Sequence, residues 1–134
     1  MKLVIDTNCV ISSLIKNGMS RRIIISPAIQ FITPEFTYVE LFKYEDIIRK
    51  KAHLTSEEFS LLIELLFEYI SIVPKEEYKD YFQKATKLID DVDDISFIAL
   101  YLAKSADGIW TDDKHFKKDK KIMIYRTSEL AKIF

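Results

Sequence analysis

The chain has 134 residues, 49% hydrophobic and 31% charged, with 2 glycines and 3 prolines, which fits an ordinary globular protein and excludes collagen-like, linker-rich and low-complexity classes. Its 20 basic and 21 acidic residues give a net charge of −1, which excludes a globally basic nucleic-acid binder but leaves room for a local basic patch. The single cysteine, Cys9, excludes an internal disulfide and a cysteine-rich zinc site. Length predicts one domain over residues 1–134. No apolar run approaches the roughly 18 residues of a membrane span, and Asp6 interrupts the apolar stretch that a signal peptide would need. The expected location is the cytoplasm, with no membrane partner.

Leu3-Val4-Ile5 reads as a first strand. Val10, Ile11, Leu14 and Ile15 follow at helical spacing, and Asn17-Gly18 marks a turn. A short helical piece over 20–26 ends near Pro27, and Phe31-Ile32 is the second strand. Thr33-Pro34-Glu35 predicts a helix start, with Thr33 as the capping hydroxyl and Pro34 in the first turn, and that helix is expected to run toward Arg49. Thr55-Ser56-Glu57-Glu58 is a capping box ahead of Phe59, Leu62, Ile63 and Leu66. Ile70 to Val73 is the third strand, and Pro74 is expected to open a helix with Tyr78, Tyr81, Phe82, Ala85, Leu88 and Ile89 as its apolar stripe. An acidic run, Asp90-Asp91-Val92-Asp93-Asp94, precedes a strongly apolar helix over 95–104. Residues 109–111 and 122–125 read as the fourth and fifth strands, and 128–134 as a closing helix.

Strands alternating with helices imply parallel pairing, because each crossover needs a dozen or more residues. Continuous apolar strands imply helices on both faces. The expected fold is α/β: a three-layer α/β/α sandwich with a central parallel sheet of about five strands. Sites in such sheets form beyond the carboxyl ends of the strands.

Five acids are expected at that edge: Asp6 after strand one, Glu40 in the helix after strand two, Asp94 in the first turn of the apolar helix, and Asp112 with Asp113 after strand four. Each has an ordinary explanation: helix capping for Asp6 and Asp94, an ion pair to Lys43 for Glu40, and a turn acid paired with Lys114 or Lys117 for Asp113. One of Asp112 and Asp113 is expected to face solvent; the remaining four acids at one edge repel one another, and the physical remedy is a hard divalent cation with oxygen ligands, Mg²⁺ or Mn²⁺. Asp91 is a candidate supporting residue three positions before Asp94. Cys9 reads as a packed core thiol, and His53 and His115 as surface residues without a matched partner.

The chain resembles the PIN domain family. The resemblance spans nearly the whole sequence, through residues 4–8 (Val-Ile-Asp-Thr-Asn), Pro34 to Leu41, residues 94–100 (Asp-Ile-Ser-Phe-Ile-Ala-Leu) and residues 110–116 (Trp-Thr-Asp-Asp-Lys-His-Phe). PIN domains are typically metal-dependent ribonucleases, and many are VapC-type toxins of toxin–antitoxin pairs. The resemblance implies an acidic quartet of Asp6, Glu40, Asp94 and Asp113 as catalytic and metal-binding residues, with Asn8 and Thr111 in supporting positions. The fourth acid is either Asp112 or Asp113, and the Thr-x-Asp spacing favours Asp113. It further implies a Mg²⁺- or Mn²⁺-dependent endonuclease that cleaves single-stranded RNA and leaves a 5′-phosphate, an antitoxin protein as partner, and a homodimer.

An acidic site needs basic residues to hold RNA. Lys114, Lys117 and Lys118, with Arg21 and Arg22, are the candidates for contacting phosphates. The competing functions are a non-catalytic PIN-like scaffold or RNA-binding module, and an RNA-processing nuclease that is not a toxin. A phospho-acceptor receiver would want an acid pair after strand one, and a haloacid-type phosphatase would want Asp-x-Asp where this chain has Asp6-Thr7-Asn8. A dinucleotide or P-loop fold lacks its glycines.

Overall fold

A computed structural model describes residues 1–89, 91–116 and 121–133. Its centre is one parallel sheet of five strands in the order β3-β2-β1-β4-β5. The strands are β1 (Lys2–Ile5), β2 (Gln30–Pro34), β3 (Ile70–Val73), β4 (Gly108–Trp110) and β5 (Ile124–Tyr125). The register pairs Val4 with Ile32 on one side and Ile5 with Trp110 on the other.

Alternation along the strands builds two cores. Leu3, Ile5, Phe31, Ile70 and Trp110 face one of them, with side chains from α1 (Thr7–Ile15), α2 (Met19–Ile24), α4 (Glu45–Ala52), α5 (Ser56–Leu66) and α8 (Thr127–Ile133). Val4, Ile32, Val73 and Ile109 face the other, with α6 (Phe82–Thr86) and α7 (Val92–Ala103). α3 (Glu35–Lys43) follows β2 and sends Leu41 into the first core. The result is the expected three-layer α/β/α sandwich.

Strand order reverses at β1: the chain proceeds outward through β2 and β3, then crosses back by α7 to place β4 on the other side of β1. The crevice beyond the carboxyl ends of β1 and β4 is therefore a topological switch point, where open α/β sheets bind their ligands. Gly108 opens β4 close against the Tyr125 ring and the Met123 backbone. A Cβ there would lie 2.6 Å from the Tyr125 ring and 2.9 Å from the Met123 carbonyl oxygen, so the position admits only glycine without rearrangement.

Four local expectations are corrected. The helix expected to run from Pro34 toward Arg49 breaks at Tyr44 into α3 and α4. Lys43 closes the last turn of α3, while Glu45 and Asp46 open the first turn of α4, the charge pattern of an end and a restart. Thr33 does not cap α3; it is fully buried in β2, where its hydroxyl donates to the Ile5 carbonyl oxygen and lies within hydrogen-bond distance of Thr37 Oγ1, both at 3.0 Å. The segment after Pro74 forms two 3₁₀ turns, 75–77 and 79–81, before the short α6. Tyr78 separates the two turns and packs its buried ring against Phe82. The fifth strand is only two residues long, although Ile122 still enters the core. The capping box is present in full: Thr55 Oγ1 accepts the Glu58 N–H, and the Glu58 carboxylate accepts the Thr55 N–H.

Candidate metal centre

A cavity of about 430 Å³ opens at the switch point, and Asp6, Glu40, Asp94 and Asp113 all line it. Each comes from a different element, so the sheet topology, rather than a local turn, gathers them.

Asp6 is the first residue beyond β1. It takes extended backbone angles and caps α1, with Oδ1 accepting the Asn8 N–H at 3.4 Å. Its Oδ2 accepts the Thr111 hydroxyl at 2.6 Å, and its N–H donates to the Trp110 carbonyl oxygen. The helix cap and the site role thus coexist in one side chain. Glu40 projects from α3, held by Thr7 Oγ1 at 3.1 Å. Thr7 is itself linked through Thr37 to the buried Thr33, which makes a hydroxyl chain from the sheet to the acid. Asp94 sits in the first turn of α7, and Asp113 lies in the loop after β4 with its N–H on Thr111 Oγ1 at 3.0 Å.

The two acids after β4 diverge. Asp112 turns away from the cavity and accepts the N–H and hydroxyl of Thr127 at the start of α8, at 2.8 and 2.5 Å. The same Thr127 hydroxyl accepts the Trp110 indole N–H. Asp113 is the acid that faces the cavity.

Burial and mutual repulsion set the electrostatics. Desolvation raises the carboxyls of Asp6 and Glu40 above their ordinary values, against hydrogen bonds from Thr111 and Thr7 that lower them. Asp94 is pushed up to about 7, chiefly by burial and then by Asp91, Asp113 and Asp6. Among the described residues, no lysine or arginine forms an ion pair with any of the four acids. Asp94 is 7% exposed, and its Oδ2 has no hydrogen-bond partner. A buried, unpartnered carboxylate oxygen among other carboxylates fits a hard divalent cation, so the residues present suit Mg²⁺ or Mn²⁺.

Asn8 is exposed on the cavity wall, and Asp91 caps α7 by accepting the Asp93 N–H at 3.0 Å. The proposed phosphate contacts fare unevenly. Lys117 and Lys118 lie outside the described residues, and neither Arg21, Arg22 nor Lys114 lines the cavity. Arg21 spends its guanidinium on the Ser13 carbonyl oxygen at 3.0 and 2.7 Å, stapling α2 to α1. Lys51 of α4 does line the cavity, beside an apolar wall of Ile11, Ile15, Tyr44 and Ile47. Cys9 is buried with its thiol on the Trp110 carbonyl oxygen, and burial pushes that thiol well above its usual range.

Two residues were missed by the sequence reading. Arg126, just after β5, reaches the carbonyl oxygens of Thr111, Asp113 and Phe116 at 2.9, 2.8 and 2.6 Å and so pins the loop that carries Asp113. No periodicity signals such a contact. His115, read as a surface residue, stands at the cavity with Nδ1 3.5 Å from Asp91 Oδ2 and 3.4 Å from Asp113 Oδ1. Its only sequence signal is its closeness to Asp113.

A family model described as PIN domain matches residues 4–127. The chain belongs to the PIN domain family. Among solved structures, the PIN fold seen here matches a chain of the VapBC2 complex from Rickettsia felis bound to a DNA fragment from their promoter. The TM-score is 0.73 at 13% identity, over 94% of this chain and 98% of that one. No curated protein matches the sequence significantly. Among the described residues, no helix of this PIN domain is long and apolar enough to cross a membrane.

Proposed function

We propose that this PIN domain is a metal-dependent endoribonuclease of the VapC type, the toxin of a toxin–antitoxin pair. The observation that carries this reading is the convergence of Asp6, Glu40, Asp94 and Asp113 on one cavity without a lysine or arginine ion pair among the described residues. Family membership and the likeness to a chain of a VapBC complex support it. An antitoxin and a second copy of the chain are the partners in this reading, and single-stranded RNA is the substrate.

Asp6 and Asp94 would hold the ion directly, with Asp113 and Glu40 completing its oxygen shell. A divalent cation bound there supplies charge neutralisation at the scissile phosphate and an acidified water. The residues themselves supply geometry and proton traffic. Thr111 holds the Asp6 carboxylate, and Arg126 holds the loop that presents Asp113. Glu40 is the proton acceptor for the attacking water: it is half-buried, anchored at one oxygen by Thr7, and raised toward the range where a carboxylate works as a base. With Cys9 buried and its thiol on the Trp110 carbonyl oxygen, water is the nucleophile: it adds to phosphorus in one step, giving its proton to Glu40, as the ribose oxygen leaves and takes up a proton from solvent.

The test is incubation of the purified chain, freed of any co-purifying inhibitor, with mixed single-stranded RNA and Mn²⁺. Cleavage that stops with chelator and in Asp6→Asn is expected. Intact RNA at high protein concentration, or cleavage that survives chelation, overturns the reading.

A further inference from the structure

Beside the quartet lies a second donor set of different chemistry. Ligand atoms of Asp91, Asp94 and His115 all lie within 4.8 Å of one another. Asp91 arrives as the cap of α7, with Oδ1 fixed on the Asp93 N–H and Oδ2 left facing the imidazole. Asp94 stands one turn further on. His115 is turned back by its own backbone, whose N–H donates to Asp113 Oδ1 at 2.9 Å. An ion with contacts of roughly 2.1 Å spans donor pairs of roughly 3–4 Å, and the 3.5 Å between His115 Nδ1 and Asp91 Oδ2 falls in that range.

An ion pair alone explains part of this arrangement, because a protonated His115 would bridge Asp91 and Asp113. It leaves Asp94 Oδ2 unpartnered, and Asp94 is more than nine-tenths buried on the wall of the same cavity. That orphaned oxygen asks for a ligand that the three side chains share.

We propose that Asp91, Asp94 and His115 form a mixed carboxylate–imidazole site for a divalent transition-metal ion, with His115 Nδ1 bound directly. Asp94 is then common to this site and to the all-carboxylate set of Asp6, Glu40 and Asp113. A nitrogen donor moves the preference of the cavity from Mg²⁺, which is served by oxygen, toward softer ions such as Co²⁺ and Zn²⁺, with Mn²⁺, which accepts both donor types, in between. This deepens the nuclease reading, which supplies the reason for a metal there, but its test does not require cleavage.

The full chain is stripped with chelator and loaded with Mn²⁺ alone, and its electron spin echo modulation is recorded. A directly bound imidazole gives ¹⁴N modulation on the Mn²⁺ signal. That modulation is expected in the wild type and in His53→Gln, whose histidine lies at the end of α4 outside the cavity. It is expected to vanish in His115→Gln, with Mn²⁺ affinity falling about tenfold and Mg²⁺ affinity changing less than about twofold. The His115 side chain is 67% exposed, so the variant should fold, and melting without metal checks this. Bound Mn²⁺ with no ¹⁴N modulation, or modulation that survives in His115→Gln, overturns the proposal and leaves the nuclease reading standing. No Mn²⁺ binding at all would overturn both.

Discussion

Thr111 donates its hydroxyl hydrogen to Asp6 Oδ2 across 2.6 Å, tying the end of β4 to the end of β1. Thr111 Oγ1 in turn accepts the Asp113 N–H, so one fully buried hydroxyl orients two acids of the cavity. A bond to an ionised acceptor is about twice as strong as a neutral one, and its loss leaves a buried carboxylate oxygen without a donor. Thr111→Val keeps the shape and removes the hydroxyl. It is expected to cut RNA cleavage by about 10- to 100-fold and to weaken Mn²⁺ binding, while Thr111→Ser stays near wild type. Equal activity in the valine and wild-type proteins would show that Asp6 does not need this support.

The acids also set a pH dependence. Asp94 is raised to about 7 in the folded chain, first by burial, whereas the unfolded chain releases that proton near 3.8. Between these values the folded state binds more protons than the unfolded state, so metal-free stability falls as pH rises through the window. Asp6 and Glu40 are raised too and act in the same direction. Chelated protein is expected to melt roughly 5 °C or more higher at pH 5 than at pH 8, and saturating Mn²⁺ should recover the loss at pH 8. Asp94→Asn should flatten this dependence and abolish cleavage. A variant that unfolds would mean that Asp94 serves α7 rather than an ion.

These acids were legible in the sequence because topology, not fine geometry, brings them together. Asp6 and Asp113 each follow an apolar strand run, and Asp94 begins an apolar helix; parallel strands then place all three at one edge. The continuous apolar run of Leu3, Val4 and Ile5 likewise announced a strand covered on both faces. What could not be read were choices made by tertiary contact. Asp112 and Asp113 are chemically identical neighbours; the Thr-x-Asp spacing favoured Asp113, but the contact with Thr127 that turns Asp112 away has no signal of its own. The break at Tyr44 and the 3₁₀ turns around Tyr78 both carry apolar spacing compatible with one continuous helix. The long-range contacts of Arg126 leave no trace in local pattern, and the contact of the exposed His115 with Asp91 is signalled only by its closeness to Asp113.

Arg126 clamps the Asp113 loop through three carbonyl oxygens, with Nη1 serving Thr111 and Asp113 and Nη2 serving Phe116. A planar fork can satisfy three acceptors at once, whereas an ammonium on a flexible stem has no such fixed geometry. Arg126→Lys is therefore expected to destabilise the chain by about 1–3 kcal/mol and to speed amide exchange at His115 and Phe116. Cleavage should fall with Mn²⁺ affinity, because Asp113 loses its fixed position. Unchanged exchange in this loop would assign Arg126 to general stability alone.

The end of α7 offers a gain rather than a loss. Ser105 follows the last turn with φ of 48°, in the left-handed region, while its N–H donates to the Leu102 carbonyl oxygen and the Ala106 N–H to that of Tyr101. This is the hydrogen-bond pattern of a helix end that favours glycine at the left-handed position, because a Cβ is strained there. Ser105→Gly is expected to stabilise the chain by about 1 kcal/mol, measured by denaturant or thermal unfolding, without altering metal binding at the opposite end of the helix. A loss of stability would mean that the entropy glycine adds to the unfolded chain outweighs the strain relieved at Ser105.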